Sequence, residues 1–262
     1  MKISVIGAGA MGGAIVEGLV KGTYVANKDI CVSDPSQAAL ERFKANVQNI
    51  TTDNCMSAKS GDVVFVVVKP WLVEQVIKDI KGVLDYDRQQ LIVVAAGITG
   101  AQLETWLEKD GKVPAMWLCI PNIAIAQLTS MTFLVPCNTA TLQQTQQVKK
   151  LLDSMGKTIV TEEKLLGAGT TLASCGIAYA MRYIRAASEG GVELGFKADY
   201  AKQIVMQTMK GAVELLEATG LHPEAAIDLV TTPGGVTIKG LNEMEHAGFT
   251  SSVIRGLKAG AK

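Results

Sequence analysis

Short apolar runs alternate with amphipathic stretches over residues 1–160 of the chain. The runs are rich in β-branched side chains, which is typical of strands, whereas the stretches between them repeat apolar residues at helical spacing. The pattern predicts strands at 3–6, 30–33, 63–68, 91–95, 115–119 and 132–135. It predicts helices at 10–21, 37–45, 71–80, 101–108 and 142–154.

The run Asp62–Val68 is apolar without alternation, as expected for a central parallel strand that is covered on both faces. Parallel neighbours need crossover helices, and the predicted helices lie between the predicted strands. The fold class we predict is therefore α/β, with an N-terminal Rossmann-like, doubly wound sheet over residues 1–160.

Beyond Glu162 the strand-like runs stop, and the pattern predicts helices at 166–194, 199–219, 223–230 and 236–246. We therefore expect an all-helical second domain over residues 161–262. Its first long segment carries many small residues that permit close approach between helices: Ala173, Gly176, Ala178, Ala180, Ala186, Gly190 and Gly191. A helical half with few aromatic side chains buries its apolar faces more readily against a second copy of the chain than within one copy. We therefore predict a homodimer through this half and allow for a higher oligomer.

Charge and hydropathy narrow the possible partners. Lys plus Arg and Asp plus Glu both number 25, so the formal net charge is zero and no basic field is available for nucleic acid or an anionic membrane surface. No apolar run reaches the length of a membrane span, and the first predicted strand leaves no room for a leader peptide. These features predict a cytoplasmic protein. The five cysteines are scattered and form no CxxC pair, so we expect reduced, mostly buried thiols and no metal site.

A glycine-rich turn follows the first predicted strand, with Gly7, Gly9 and Gly12 in a GxGxxG spacing around Ala10 and Met11. Gly7 can make the tight turn, Gly9 leaves no side chain between backbone and diphosphate, and Gly12 lets helix and strand pack closely. The N–H groups at the start of the following helix are free to bind phosphate. The turn predicts a dinucleotide site.

Asp34 lies about twenty residues beyond the turn, after the second predicted strand. A carboxylate there accepts a hydrogen bond from the ribose 2′-hydroxyl and repels a 2′-phosphate. Because no Arg stands next to it in sequence, we expect either NADH or NADPH as cofactor, with NADH preferred.

Four further segments contain Pro or Gly, which are typical of turns. Val68-Lys69-Pro70, Ala95-Ala96-Gly97 and Ile120-Pro121-Asn122 follow predicted strands, at the sheet edge where ligands bind in open α/β folds. The segment Thr232–Thr237 joins two predicted helices and contains Pro233, Gly234 and Gly235. Glycines beside a helix start expose N–H donors, so this loop is either a carboxylate site or an ordinary break between helices.

Taken together, in this order and spacing, the five motifs resemble those of the 1-pyrroline-5-carboxylate reductase family, over residues 2–257. The resemblance implies hydride transfer from NAD(P)H to the C=N carbon of a cyclic imino acid, 1-pyrroline-5-carboxylate, to give L-proline. It also implies a dimer whose active sites combine the nucleotide domain of one subunit with helices of its neighbour.

The same resemblance implies roles for individual residues. Thr232, Gly234, Gly235 and Val236 would bind the substrate carboxylate, and Thr237 would hydrogen-bond the ring nitrogen as the catalytic residue. Asn54 would contact the adenosine ribose. The other implied cofactor contacts are Val68, Lys69, Pro70, Ala96, Gly97 and Asn122.

Such a reaction suits a chain whose two histidines, His222 and His246, lie outside the predicted nucleotide-domain loops. An imine nitrogen is basic enough to be protonated before hydride arrives, so a general acid is not needed. We expect both histidines at the surface.

The chain departs from the family pattern at two places. Leu118 stands in a segment that usually carries Arg, and Ile123-Ala124 replaces Thr-Pro after Asn122; Ala173–Tyr179 replaces Ser-Gly-Ser-Gly-Pro-Ala-Tyr. Two alternatives therefore stay open: a reductase of another cyclic imino acid, and a non-catalytic NAD(P)-binding regulatory protein. A β-hydroxyacid dehydrogenase is disfavoured, because residues 172–194 contain no Lys to serve as its acid–base group.

Overall fold

The computed structural model describes residues 1–261, which contain an eight-stranded sheet in the order β3-β2-β1-β4-β5-β6-β7-β8. The strands are β1 (Ile3–Ile6), β2 (Ile30–Ser33), β3 (Asn49–Thr51), β4 (Val63–Val66), β5 (Gln90–Val93), β6 (Ala115–Ile120), β7 (Ser130–Pro136) and β8 (Gly156–Val160). β6 and β7 pair antiparallel, and every other neighbouring pair is parallel.

Helices follow most of the strands. They are α1 (Ala10–Lys21), α2 (Gln37–Glu41), α3 (Asn54–Ser60), α4 (Pro70–Lys81), α5 (Gly100–Leu107), α6 (Leu142–Asp153), α7 (Leu166–Gly169), α8 (Gly176–Glu193), α9 (Ala198–Thr219), α10 (Pro223–Leu229), α11 (Val236–His246) and α12 (Phe249–Gly260). Short 3₁₀ helices occupy Asn27–Asp29, Ile123–Gln127 and Glu163–Leu165, and a π-helix occupies Thr170–Cys175.

The sheet is the middle layer of three, because alternate residues of its strands face opposite layers. Phe65 and Trp117 pack with residues of α1 and α6 on one face. Val64 and Met116 pack with residues of α4 and α5 on the other. These four side chains are 0% exposed, so the sheet is covered on both sides, as the apolar run at 62–68 predicts.

The structure adds four elements that the sequence pattern does not predict and changes two predicted helices. The sequence pattern misses β3 and β8, which are edge strands, and the helices α3 and α12. The predicted helix 37–45 ends at Glu41 and continues as turns. The predicted helix 166–194 is three elements, because the π-helix separates α7 from α8.

The chain divides into two compact units, Met1–Ser174 and a second unit that begins at Cys175. The second unit consists of α8 to α12, and within residues 175–261 Ala201 and Ala226 are the only buried hydrophobic residues. α8 and α9 approach closely, since a Cβ added to Gly191 would lie 2.9 Å from Cβ of Ala201. Large apolar side chains of this unit are exposed, among them Leu194, Phe196, Tyr200 and Met206.

The predicted fold class, a Rossmann-like α/β domain followed by a helical one, is confirmed. Through residue 261, no helix combines the length and the apolar character that a membrane crossing needs.

Candidate functional site

The turn between β1 and α1 has a conformation that requires two of its glycines. Gly7 has a φ of +100°, a region that favours glycine, and an added Cβ there would overlap with the carbonyl of Val67. At Gly12 an added Cβ would overlap with the Gly7 carbonyl oxygen. A Cβ on Gly9 would meet no atom within 4 Å. The turn therefore closes tightly at Gly7 and Gly12 and leaves open space beside Gly9.

A cavity of ≈ 530 Å³ opens beside this turn, at the carboxyl ends of β1, β2 and β4. Its volume is typical of a small-molecule site, and its position is the edge where open α/β sheets bind ligands. Nine predicted cofactor residues line it: Gly7, Gly9, Ala10, Met11, Gly12, Asp34, Asn54, Val68 and Lys69.

The cavity lining differs from the predicted set of cofactor residues in two ways. It contains residues that the sequence does not predict, and four predicted residues are absent from it. The additional lining residues are Ile6, Pro35, Val67, Leu72, Gln75, Val76 and Val94. In the described part of the chain, Pro70, Ala96, Gly97 and Asn122 lie outside the lining. Pro70 is instead the first residue of α4, where its missing N–H leaves no helical hydrogen bond unmade.

Asp34 is held against the glycine-rich turn by its carboxylate. Oδ2 accepts a hydrogen bond from the backbone N–H of Ala8 at 2.8 Å, and Oδ1 accepts one from the N–H of Ser36 at 2.8 Å. Each carboxylate oxygen can accept a further hydrogen bond. Asn54 lies in the same cavity, where its Oδ1 accepts a hydrogen bond from the Ser33 hydroxyl at 2.9 Å. These two side chains are thus fixed in place before any ligand arrives.

Arg42 also reaches the glycine-rich turn, although it is not adjacent to Asp34 in sequence. Its Nη2 donates to the carbonyl oxygens of Ala8 at 2.7 Å and Gly9 at 3.0 Å. Arg42 follows the last residue of α2, and the path of the chain after β2 brings it back to the turn. No periodicity or motif signals this contact in the sequence.

Asn122 is buried, and its side chain takes part in local structure. Oδ1 accepts from the N–H of Ala124 at 3.0 Å, and Nδ2 donates to the carbonyl of Ala173 at 3.4 Å. The hydroxyl of Ser174 donates to the Pro121 carbonyl at 2.9 Å. The turn after β6 is therefore tied to the π-helix.

The segment Thr232–Thr237 is a turn between α10 and α11. Gly234 has a φ of +69°, and the N–H of Gly235 donates to the Thr232 carbonyl at 2.9 Å. α11 begins at Val236, with Gly235 as its N-cap. The N–H groups of its first turn have no carbonyl partner within the helix, and Val236 and Thr237 are exposed. The segment therefore combines a break between helices with an exposed set of N–H donors.

The histidines and the cysteines lie outside the cavity lining. Both histidines are exposed, as predicted: His222 Nδ1 accepts from the N–H of Glu224 at 3.3 Å, and His246 lies 3.6 Å from Glu243. All five cysteines are free thiols. Burial raises the pKa of Cys119, and burial together with Glu163 and Glu104 raises the pKa of Cys137 to about 12. These two thiols are therefore protonated at neutral pH and poor nucleophiles.

Two family models match the chain. Residues 163–262 match the model described as pyrroline-5-carboxylate reductase dimerisation, and residues 2–97 match the model described as NADP oxidoreductase coenzyme F420-dependent. The first match covers the helical half and the second covers the glycine-rich turn and the cavity.

Relatives that match nearly the whole of this chain have names of the same family. Pyrroline-5-carboxylate reductase 2 of Dictyostelium discoideum is 32% identical over 274 residues, which cover 100% of this chain and 91% of that protein. Pyrroline-5-carboxylate reductase 1 of the same organism is 36% identical over 97% of this chain, and the chain spans 48% of its length. The crystal structure of Plasmodium falciparum pyrroline carboxylate reductase with NADP bound has a TM-score of 0.89 at 23% identity and covers 100% of this chain and 95% of that one.

Proposed function

The chain belongs to the pyrroline-5-carboxylate reductase family, and on this premise we propose that it reduces 1-pyrroline-5-carboxylate to L-proline with NADH or NADPH. The observation that carries the proposal is the cavity of ≈ 530 Å³ beside the glycine-rich turn. It occurs in a chain whose helical half matches the dimerisation model of this family. A bound nicotinamide cofactor supplies the hydride.

The residues around the glycine-rich turn fit a dinucleotide. The N–H groups of Ala10, Met11 and Gly12 belong to the first turn of α1, where no intrahelical carbonyl accepts them, and they are available to the diphosphate. Gly9 leaves open space for the close approach of phosphate to backbone. Asp34 and Asn54 hold acceptors in the same cavity for ribose hydroxyls. Val68, Lys69, Pro70, Ala96, Gly97 and Asn122 stay predicted contacts along the same sheet edge.

We propose that NADH is preferred over NADPH. The Asp34 carboxylate repels a 2′-phosphate. Arg42 directs its Nη2 to the carbonyls of Ala8 and Gly9. NADP is the cofactor bound to the Plasmodium falciparum relative, so the preference is a separate claim from the use of a nicotinamide cofactor.

The substrate carboxylate is assigned to the Thr232–Thr237 loop. The exposed N–H groups at the start of α11 are suited to an anion, because the helix dipole adds to their own donor character. Gly234 and Gly235 form the turn that presents them, and Thr232 and Val236 flank it. The ring nitrogen is protonated before hydride arrives, and its N–H can donate to the hydroxyl oxygen of Thr237. No histidine is therefore required as a general acid.

We also propose that the chain forms a homodimer through its helical half. The support is physical: α8 to α12 expose large apolar side chains that a monomer leaves in water, with Leu194 82% and Tyr200 60% exposed. A dimer buries such surface, and assembly beyond a dimer and a cytoplasmic location stay predictions.

Isotope transfer tests the proposed reaction. NADH that carries deuterium at the transferable position should give proline with one deuterium on the ring carbon that was doubly bonded to nitrogen, detected by mass spectrometry. Unlabelled proline would exclude direct transfer. NADH binding without any proline would favour the non-catalytic regulator.

A further inference from the structure

The guanidinium of Arg42 contacts the glycine-rich turn but does not line the cavity. Its Nη2 donates to the carbonyls of Ala8 and Gly9 at 2.7 and 3.0 Å, and its Nη1 lies 3.9 Å from Oε1 of Glu17. Its Cζ is 4.6 Å from the centre of the Phe43 ring. The Arg42 side chain is half exposed, and its contacts with the turn, Glu17 and Phe43 hold it in one position.

Gly13 provides the space that the guanidinium occupies. A Cβ added to Gly13 would overlap with Nη2 of Arg42 and lie 2.5 Å from its Cζ and 3.1 Å from its Nη1. The three nearest atoms all belong to Arg42, at the far end of a flexible side chain. Gly13 lies outside the GxGxxG spacing, and the contact with Arg42 accounts for a glycine there.

Arg42 contributes to the direction in which the backbone amides of the turn point, most directly at the Ala8 carbonyl. In a planar trans peptide the C=O and the next N–H point in opposite directions. Because the Ala8 carbonyl points to Arg42, the N–H of Gly9 points away from the guanidinium. The Gly9 carbonyl accepts from both Arg42 and the N–H of Gly13, at 2.8 Å, so Arg42 and α1 together orient the N–H of Ala10. Gly9 and Ala10 line the cavity, and the N–H of Ala8 is held separately by Asp34.

We propose that Arg42, seated against Gly13, is a positioning residue that orients the backbone N–H groups of the glycine-rich turn toward the cofactor diphosphate. The proposal rests on the cofactor site proposed above and does not depend on which substrate is reduced. Arg42 acts through the Ala8 and Gly9 carbonyls and does not itself need to touch the cofactor.

Cofactor binding by Arg42→Met tests the proposal directly. We expect the NADH Kd, measured by fluorescence, to rise about tenfold, because two charge-assisted hydrogen bonds are lost. The rise should persist in 0.5 M NaCl, since a positioning effect is not screened as a long-range attraction is. With NADH saturating, kcat should stay within about twofold of wild type. Arg88→Met is the matched control, because Arg88 is similarly exposed, at 49% against 45%, and pairs with Asp62 and Asp85.

Gly13→Ala provides the second variant and completes a double-mutant cycle. Alanine suits the interior of α1, so the substitution displaces the guanidinium without breaking the helix. If Gly13 acts only by leaving room for Arg42, Gly13→Ala also raises the NADH Kd. The Kd of the double variant then lies within about twofold of the Kd of the weaker-binding single variant. Independent effects would multiply to about a hundredfold.

The role assigned to Arg42 would be wrong if the increases in NADH Kd of the two single variants multiply in the double variant. It would also be wrong if the single variants bind NADH as the wild type does. Neither result would contradict the cofactor site itself. Failure of the wild-type protein to bind either nicotinamide cofactor would overturn that site and this inference together.

Discussion

Thr237 is the residue on which the proposed chemistry depends most directly. Thr237→Ala should lower kcat about tenfold to a hundredfold, because a hydrogen bond to a charged ring nitrogen is lost in the transition state. NADH affinity should be nearly unchanged, since the hydroxyl faces the substrate. Steady-state kinetics and a separate NADH titration measure the two quantities.

Thr237→Ser is the matched variant, because it keeps the hydroxyl and should retain most of kcat. Equal losses in kcat and NADH affinity for Thr237→Ala would make Thr237 a structural residue of α11.

Asp34 carries the proposed cofactor preference. Asp34→Ser removes the negative charge, and the ratio of kcat/KM for NADPH to that for NADH should rise about tenfold. The variant also loses contacts to Ala8 and Ser36, but that loss affects both cofactors and cancels in the ratio. A lower KM for NADPH in the wild-type protein, or an unchanged ratio in the variant, would contradict the preference.

The pKa of Tyr86 can be measured to test its environment in the nucleotide half. Its hydroxyl donates to the Leu107 carbonyl, and burial, with a smaller contribution from Glu108, raises the pKa of Tyr86 from 10.0 to about 12. A raised pKa in the folded state means that Tyr86 stabilises the fold below pH 10 and loses this contribution as the pH rises toward 12.

The difference in tyrosinate absorbance between wild type and Tyr86→Phe, recorded directly after a pH jump, should have its midpoint near pH 12. A midpoint near 10 would contradict this environment.

At the residue scale, the sequence predicts what short-range geometry requires and misses what the tertiary fold brings together. Gly7 and Gly12 are predictable because the tight turn itself excludes a Cβ at both. Arg42 and Val94 reach the cavity region only through the path of the chain, and no local pattern marks them. Asn122 stays a predicted cofactor contact; the hydrogen bond of its side chain to the distant Ala173 is one that no local pattern indicates.

At the element scale, the contact between α1 and the 3₁₀ helix Ile123–Gln127 fixes the helix that follows the glycine-rich turn. A Cβ on Gly18 would lie 2.5 Å from the carbonyl oxygen of Ile125, and backbone cannot move aside as a side chain can. Gly18→Ala should therefore lower the free energy of unfolding by about 1–2 kcal/mol, the overpacking cost less the gain in helix propensity.

Urea denaturation measures this change, with Gly82→Ala as control. Gly82 ends α4 with a φ of −67°, and its added Cβ would meet no atom within 4 Å. Equal stabilities for the two variants would contradict the close packing of α1.

Most of the elements that the sequence predicts well have a buried face. β1, β2 and α1 have buried residues and the bounds that the apolar pattern predicts. α11 also has its predicted bounds, although none of its residues is buried. β3 and β8 lie at the sheet edges, where β8 buries one of its five residues and β3 none, so the apolar signal is too weak. α3 has a local signal in the sequence, since Asp53 caps it by accepting from the N–H groups of Cys55 and Met56. The π-helix leaves no mark in a helical pattern.

At the scale of the whole molecule, the proposed dimer follows from the exposed apolar surface of the helical half. The wild-type protein should have twice the chain mass of 27.7 kDa by light scattering. Tyr200→Asp should give monomers, because a charge in an apolar interface is costly to bury. Tyr24→Asp, at an exposed site of the nucleotide half, should stay dimeric.

A monomeric wild-type protein would contradict the proposed dimer, and so would a Tyr200→Asp variant that keeps the wild-type mass.

The division into a mixed α/β half and a helical half is predictable because the change from strand-like to helical periodicity is sharp near residue 162. The antiparallel pairing of β6 and β7 is not, because the apolar content of a strand does not encode its direction.

Oxidation of NADH and NADPH, followed at the nicotinamide absorbance band, tests the proposed function most directly. The substrates are 1-pyrroline-5-carboxylate and its six-membered analogue. We predict turnover of the five-membered imine, with NADH the better cofactor. Turnover of the analogue alone would assign the chain to another cyclic imino acid, and no turnover of either imine by a protein that binds NADH would contradict the reductase.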